Sequence, residues 1–227
     1  MAEHTLGRFD HEAVVVAKNI IDDSHFTIMF RPHDSVRFIP GQYVSVVLDG
    51  MRPAPFSIAS SAETGDIELG IGVHGTVTTA LRDTPVGTKV VLRGPFGRFT
   101  LGDEKKVCFL SGGVGITPFA SMLRTLRDTS GATDAVLLAS AKHRRQFLWA
   151  DEFLALRSPL RVVFTLTQEH DPLLHHGRID AAFIRAQVPD FAERTFYACG
   201  PAAFIDAVFV ALAELGVSPE RMRKEAW

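Results

Sequence analysis

The sequence predicts two domains: an antiparallel β-barrel or sandwich, then a doubly wound α/β domain with a parallel sheet. Three observations carry this. Residues 1–100 alternate short apolar runs with Pro, Gly, Asp and Ser punctuation; a polar hinge, TLGDEKK (100–106), follows; beyond it apolar strand runs alternate with longer helical ones. The expected domains are 1–100 and 101–227.

In chain order, EAVVVAKNI, HFTIMF, QYVSVVL, PFSIAS, IELGIGV and KVVLRG read as strands, short and evenly spaced as in an all-β domain. One helical segment, TVTTALRDT (76–84), interrupts them. After the hinge, VCFLS, AVLLAS, RVVFTLT and TFYACG are rich in β-branched and aromatic residues and too short for buried helices. Helices are expected between them at 118–128, 146–157, 178–187 and 201–215. Such alternation implies parallel strands joined by right-handed crossovers.

Of the 227 residues, 46% are hydrophobic, enough for sizeable cores. No run of about 18 apolar residues appears, and the first residues lack signal-peptide features, so a cytoplasmic location is expected. The net charge of -2 provides no broad basic field, which argues against nucleic-acid binding. Two cysteines, Cys108 and Cys199, are too few for a disulfide framework or a Cys-ligated cluster, so any redox chemistry must come from an organic cofactor. His170, His175 and His176 share one loop without a carboxylate or thiol cluster placed beside them, and no metal site is expected.

FLSGGVGITPFASMLRTL (109–126) places Gly112, Gly113 and Gly115 between a strand and its helix, with Pro118 in the first helical turn. Glycines there allow a tight turn and close approach of an anionic group to backbone N–H groups at the helix start. Ligands of open α/β sheets bind beyond the carboxyl ends of the strands, where this loop must sit. YACGP (197–201) also ends a strand and opens a helix at Pro201, so Cys199 and Gly200 are expected at the same crevice.

FIPGQYV (38–44), APFSIAS (54–60), GTVTTAL (75–81), GPFGRF (94–99), GGVGITP (112–118) and ACGP (198–201) together resemble, in this order, the ferredoxin-NADP(+) reductase family. The resemblance implies a flavin-binding barrel, an NAD(P)-binding α/β domain and hydride transfer between nicotinamide and FAD in the cleft. It assigns Phe56 to the isoalloxazine face, Ser57 to a hydrogen bond near its N5, and Pro55 and Val73 to the same site. Gly75, Thr76 and Thr78 would meet the pyrophosphate at a helix start. Gly113, Gly115, Ile116, Thr117, Gly200 and Pro201 would hold the dinucleotide. Cys199 and Glu225 would border the hydride-transfer site, and Trp227 would cover the flavin.

Ala54 departs from the family pattern, which has an arginine there to clamp the flavin phosphates. Arg52, two residues earlier, would share a strand face with position 54 and is the candidate substitute. Lys142, Arg144 and Arg145 favour NADPH through its 2′-phosphate; Thr167-Gln168, replacing the family's Ser-Arg, leaves NADH open. Arg221, Arg223 and Lys224 could ring the flavin edge and steer an acidic ferredoxin or flavodoxin to a monomer of this chain. Two rivals accompany this reading: a reductase of free flavin or another small acceptor, and an electron-transfer or regulatory subunit of a larger enzyme. No C-x4-C-x2-C segment occurs, so no plant-type iron-sulfur cluster is expected within this sequence.

Overall fold

A computed structural model describes residues 9–226. Trp227 lies outside the described residues. The first sheet comprises β1 (Asp10–Asp22), β2 (His25–Pro32), β3 (Tyr43–Val47), β4 (Ala54–Ser57), β5 (Ile67–Gly72) and, after α1 (Thr76–Asp83), β6 (Lys89–Phe96). Its order is β4-β3-β6-β1-β2-β5, and every pairing is antiparallel. A bridge between Ile58 and Leu69 joins the two outer strands. The edges thereby meet and the sheet closes as a barrel. Inward residues alternate along the strands: Phe26, Ile28 and Phe30 of β2 and Ile67, Leu69 and Ile71 of β5 are all buried, with Leu81 of α1 plugging the interior.

The second part contains β7 (Lys106–Gly112), a 3-10 turn at Gly113–Gly115, α2 (Ile116–Asp128), β8 (Asp134–Ala141), α3 (Ala150–Leu154), β9 (Leu160–Leu166), the two-residue β10 (His175–His176), α4 (Ala181–Gln187), β11 (Thr195–Gly200), α5 (Ala202–Glu214) and β12 (Met222–Ala226). All strands are parallel, in the order β10-β9-β8-β7-β11-β12. β7 is buried on both faces: Val107 and Phe109 join one apolar cluster, Cys108 and Leu110 the other. The strand order reverses between β7 and β11, so the crevice for a ligand opens there.

Two local expectations change. The helix expected at 146–157 is reduced to Ala150–Leu154, because Phe147 and Leu148 both turn into the core and Trp149 takes a left-handed φ of 57°. The segment MRKEA (222–226), with no strand assigned from sequence, forms β12 against β11. Among the described residues no helix is long and apolar enough to cross a membrane.

Helix α2 fastens the two parts. Thr117 Oγ1 donates to Gly70 O (3.3 Å), Ser121 Oγ to Ser60 O (2.7 Å), Arg124 Nη1 to Ala59 O (2.9 Å), and Thr125 Oγ1 accepts from Ala62 N (2.9 Å). Positions 117, 121, 124 and 125 fall on one helical face, so a polar stripe meets backbone groups of the barrel. The same helix begins at the glycine turn. Anchoring it therefore sets the height of that turn over the barrel.

Candidate flavin and dinucleotide site

A cavity of about 370 Å³ lies where barrel and α/β part meet. Tyr43, Pro55, Phe56, Ser57, Gly70, Ile71, Gly72, His74 and Thr78 line it from the barrel; Val114, Thr117, Pro118 and Glu225 line it from the other side. Strand pairing builds its floor, with Tyr43 directly opposite Ser57 and Val44 opposite Phe56. Ser57 Oγ donates to Glu225 Oε2 across the cavity wall at 3.4 Å.

Thr78 Oγ1 accepts from His74 N (2.9 Å) and Gly75 N (3.1 Å) and donates to Gly75 O (3.0 Å), fixing the entry to α1. No heavy atom lies within 4 Å of where a Gly75 Cβ would be, so the backbone at this helix start is open to a ligand. First-turn N–H groups of a helix have no intrahelical partner, which suits phosphate. The walls suit a flat aromatic ring: Phe56, Ile71, Val114 and Pro118 offer apolar surface, while Ser57 and Glu225 supply a polar edge. These features fit FAD.

A second cavity of about 690 Å³ follows the carboxyl ends of β7, β8, β9 and β11. Gly112, Gly113 and Val114 form one side; Ser140, Lys142, Gln146, Thr167, Gln168, Arg178, Pro201 and Phe204 form much of the rest. Ser24, His25 and His74 reach it from the barrel. His74 and Val114 line both cavities, so the two are contiguous. A dinucleotide in the larger one can present its end to a ring in the smaller.

Several residues singled out from sequence stand elsewhere. Arg52 precedes β4, is exposed and lines neither cavity, so the same-face argument fails for want of a strand at that position. Ala54, Val73 and Thr76 also lie off the lining, Val73 packing on the barrel core. Thr117 lines the smaller cavity, and Ile116 is buried in the core. Gly115 and Gly200 line neither cavity; the glycine turn packs against the backbone of β11 there, leaving no room for a Cβ on Gly115. Cys199 is buried in the apolar cluster with Phe109 and Tyr197 and lines neither cavity. Cys108 is equally enclosed, and burial pushes its thiol up to about 12.

Of the strand-end cations, only Lys142 lines the larger cavity. Arg144 pairs with Asp171, and Arg145 Nε reaches Asp22 at 3.6 Å. The acidic loop that captures Arg144 follows β9, distant in sequence from the cations it meets. Arg221 donates to Ala192 O (2.6 Å) and Arg194 O (3.0 Å), and Lys224 lies 5.8 Å over the Phe209 ring, so neither forms the expected basic rim. Tyr43, His74, Gln146, Arg178 and Phe204 escaped sequence reasoning. Two had a usable signal: Tyr43 alternates into the register of Ser57, and His74 adjoins Gly75.

Burial pushes the Glu225 carboxyl above its ordinary range, offset only in part by the Ser57 hydrogen bond. A raised folded pKa means that the folded chain holds this proton where the unfolded chain has released it. Stability therefore falls as pH rises from the ordinary carboxylate range through the raised value. Glu225→Gln removes that dependence, so its Tm advantage over the parent grows from acid toward neutral pH and then levels. Thermal melts across that range check the sign.

The closed barrel, the parallel sheet and two contiguous cavities define a two-domain FAD- and NAD(P)-binding oxidoreductase. Residues 13–101 match the model for an oxidoreductase FAD-binding domain, and residues 109–209 that for an oxidoreductase NAD-binding domain. The chain belongs to the ferredoxin reductase-like family. It is 30% identical to the glycine betaine monooxygenase reductase subunit of Chromohalobacter salexigens, over 98% of this chain and 65% of that protein. It covers 56% of the same subunit from Pseudomonas aeruginosa, so it spans between half and two thirds of these relatives' length. Its fold matches the flavohem-like FAD/NAD binding domain of nitric oxide dioxygenase from Vibrio cholerae at a TM-score of 0.87, with 22% identity over 97% of this chain and 99% of that one. A ferredoxin NADP+ reductase from Neisseria gonorrhoeae, solved with bound FAD and NADP, gives a TM-score of 0.83 at 17% identity, over 97% and 99% of the two chains.

Proposed function

We propose that the chain catalyses hydride transfer from NADPH to bound FAD and passes electrons singly to a ferredoxin or flavodoxin. The observation that carries this is the meeting of the two cavities at His74 and Val114. Bound FAD supplies the exchange between two-electron and one-electron chemistry. Phe56 and Tyr43 orient the ring, the start of α1 at Gly75–Thr78 receives phosphate, and Ser57 with Glu225 holds a proton at the cavity wall. Val114, Pro118 and Ile71 exclude water from the meeting point.

Coenzyme preference rests on two cations, Lys142 and Arg178. Both line the larger cavity, whereas Arg144 is neutralised by Asp171. Glu169, the neighbouring acid, accepts from Arg144 N at 2.8 Å and is likewise engaged. A 2′-phosphate thus has two candidate donors at the adenosine end. A charge-assisted contact contributes about 1.5–3 kcal/mol, so losing either cation lowers kcat/KM for NADPH roughly 10- to 100-fold. Lys142→Ala and Arg178→Ala are expected to do so with NADH little changed. Equal losses for both coenzymes defeat the assignment.

Ala54 favours a second reading, because neither lysine nor arginine is among the residues lining the smaller cavity. Weakly held flavin would come and go as a substrate. Absorbance of the purified chain, with identification of flavin released on denaturation, separates the two: a yellow protein releasing FAD supports the first, a colourless one active only with added flavin the second. The glycine betaine monooxygenase relative adds an oxygenase component as a further class of acceptor, to be assayed beside ferredoxin and flavodoxin.

A further inference from the structure

We propose that Arg223 is a positioning residue for Glu225, acting through a brace that ties the last strand to the segment between the sheets. The inference rests on the function proposed above. β12 is an edge strand, paired on one side only with β11. Side chains alternate along it: Lys224 lies over Phe209 of α5, so Arg223 and Glu225 share the opposite face.

Arg223 is held there at three points. Its Nη1 donates to Tyr197 Oη at 2.7 Å, its Nη2 is 2.6 Å from Glu104 Oε1, and its guanidinium carbon lies 5.1 Å from the Tyr197 ring centre. Tyr197 Oη donates to the same Glu104 oxygen at 2.9 Å. Glu104 is itself fixed, since its other oxygen accepts from Gly102 N at 2.8 Å and its carbonyl accepts from Thr133 Oγ1 at 3.2 Å. Tyr197 is fully buried and cannot follow a moving strand. The brace is therefore rigid at its far end and grips β12 at Arg223.

Two residues on, about 7 Å along the strand, Glu225 reaches Ser57. That contact measures 3.4 Å, at the outer limit for an O–H···O bond, so a small displacement of β12 breaks it. No other side-chain hydrogen bond of Glu225 is found among the described residues. Arg223 is the nearest same-face anchor on this strand, and it sets the height at which the carboxyl enters the cavity.

The test measures the rate of flavin reduction in the flavin-loaded protein by stopped flow, with whichever of NADPH and NADH reacts faster. Arg223→Ala is expected to slow reduction about tenfold with KM changed less than about twofold, since misplacement affects the reacting geometry more than coenzyme binding. In a Glu225→Gln background it should add less than about twofold, because both changes remove one arrangement. Arg223→Lys should restore part of the rate by pairing with Glu104. Glu104→Gln should reproduce Arg223→Ala from the brace's other end, and it decides the matter if Arg223→Ala does not fold. Effects that multiply, or an unchanged rate in Arg223→Ala or Glu225→Gln, overturn the proposal alone. A parent protein that neither coenzyme reduces overturns the underlying function and this inference together.

Discussion

Replacing Arg124 by Ala is expected to cost about 3–5 kcal/mol of stability, the range for breaking a buried ion pair from one side. The guanidinium is 10% exposed and donates to both oxygens of Glu152, at 2.9 and 2.6 Å, to Glu68 at 2.7 Å and to Ala59 O at 2.9 Å. It also stacks on Trp149 at 4.8 Å, whose Nε1 donates to the second oxygen of Glu68 at 2.9 Å. Alanine leaves the largely buried Glu68 with the Trp149 N–H and no cation, and Glu152 with Arg127 alone at 2.9 Å. At roughly 2–4 °C per kcal/mol for a chain of this size, Tm drops by about 10 °C.

A pH signature separates this cause from a simple loss of packing. Burial alone would raise the Glu152 pKa, but hydrogen bonds and charge from Arg124, then Arg127, lower it overall. A depressed carboxylate contributes stability above its unfolded pKa and loses it as pH falls through the folded value. Without Arg124 only the smaller share from Arg127 remains, so the gap between parent and variant narrows in acid. Arg124→Met combined with Glu68→Gln and Glu152→Gln should cost less than Arg124→Ala alone, because no carboxylate is left buried. If the triple variant is the less stable, packing of the arginine stem is the larger effect. Either result bears on function, because Arg124 belongs to the stripe that sets the glycine turn over the barrel.

The architecture was legible because both sheets announce themselves by pattern. Phe26, Ile28 and Phe30 alternate inward, and the β7 run from Val107 to Leu110 is apolar on both faces. Motif positions at Phe56, Ser57, Gly113 and Glu225 also came from sequence. What escaped depends on meetings between distant segments. KHRR reads as a cationic strand end until Asp171 and Glu169 arrive from the loop after β9 to occupy Arg144. Arg178 shows no pattern at all, since it reaches the cavity through a turn at Gly177 with φ of 128°. Arg52 failed for a local reason: the strand that would have aligned it with position 54 begins only at Ala54.

Gly115→Ala is expected to weaken dinucleotide binding more than flavin binding, since the turn it displaces lines the larger cavity with Gly113 and Val114 and the smaller one with Val114 alone. A Cβ on Gly115 would lie 2.2 Å from Cys199 O, 2.5 Å from Cys199 C and 2.8 Å from Gly200 N. All three are backbone atoms of β11, so no rotamer change relieves the overlap. Overpacking of this kind costs about 1–3 kcal/mol or more, and the chain can escape only by moving the turn away from β11. That movement separates Gly113 and Val114 from Pro201, which face one another across the larger cavity. KM for the coenzyme should rise at least about tenfold, a consequence of misplaced contacts rather than lost ones. Gly113→Ala is the informative contrast. Its φ of 57° carries a left-handed cost of about 1–2 kcal/mol, but no heavy atom lies within 4 Å of the added carbon. Gly113→Ala should therefore lose stability with a smaller rise in KM, whereas Gly115→Ala loses coenzyme binding first. Equal KM effects at the two positions would mean that backbone conformation governs the turn, and that its contact with β11 does not.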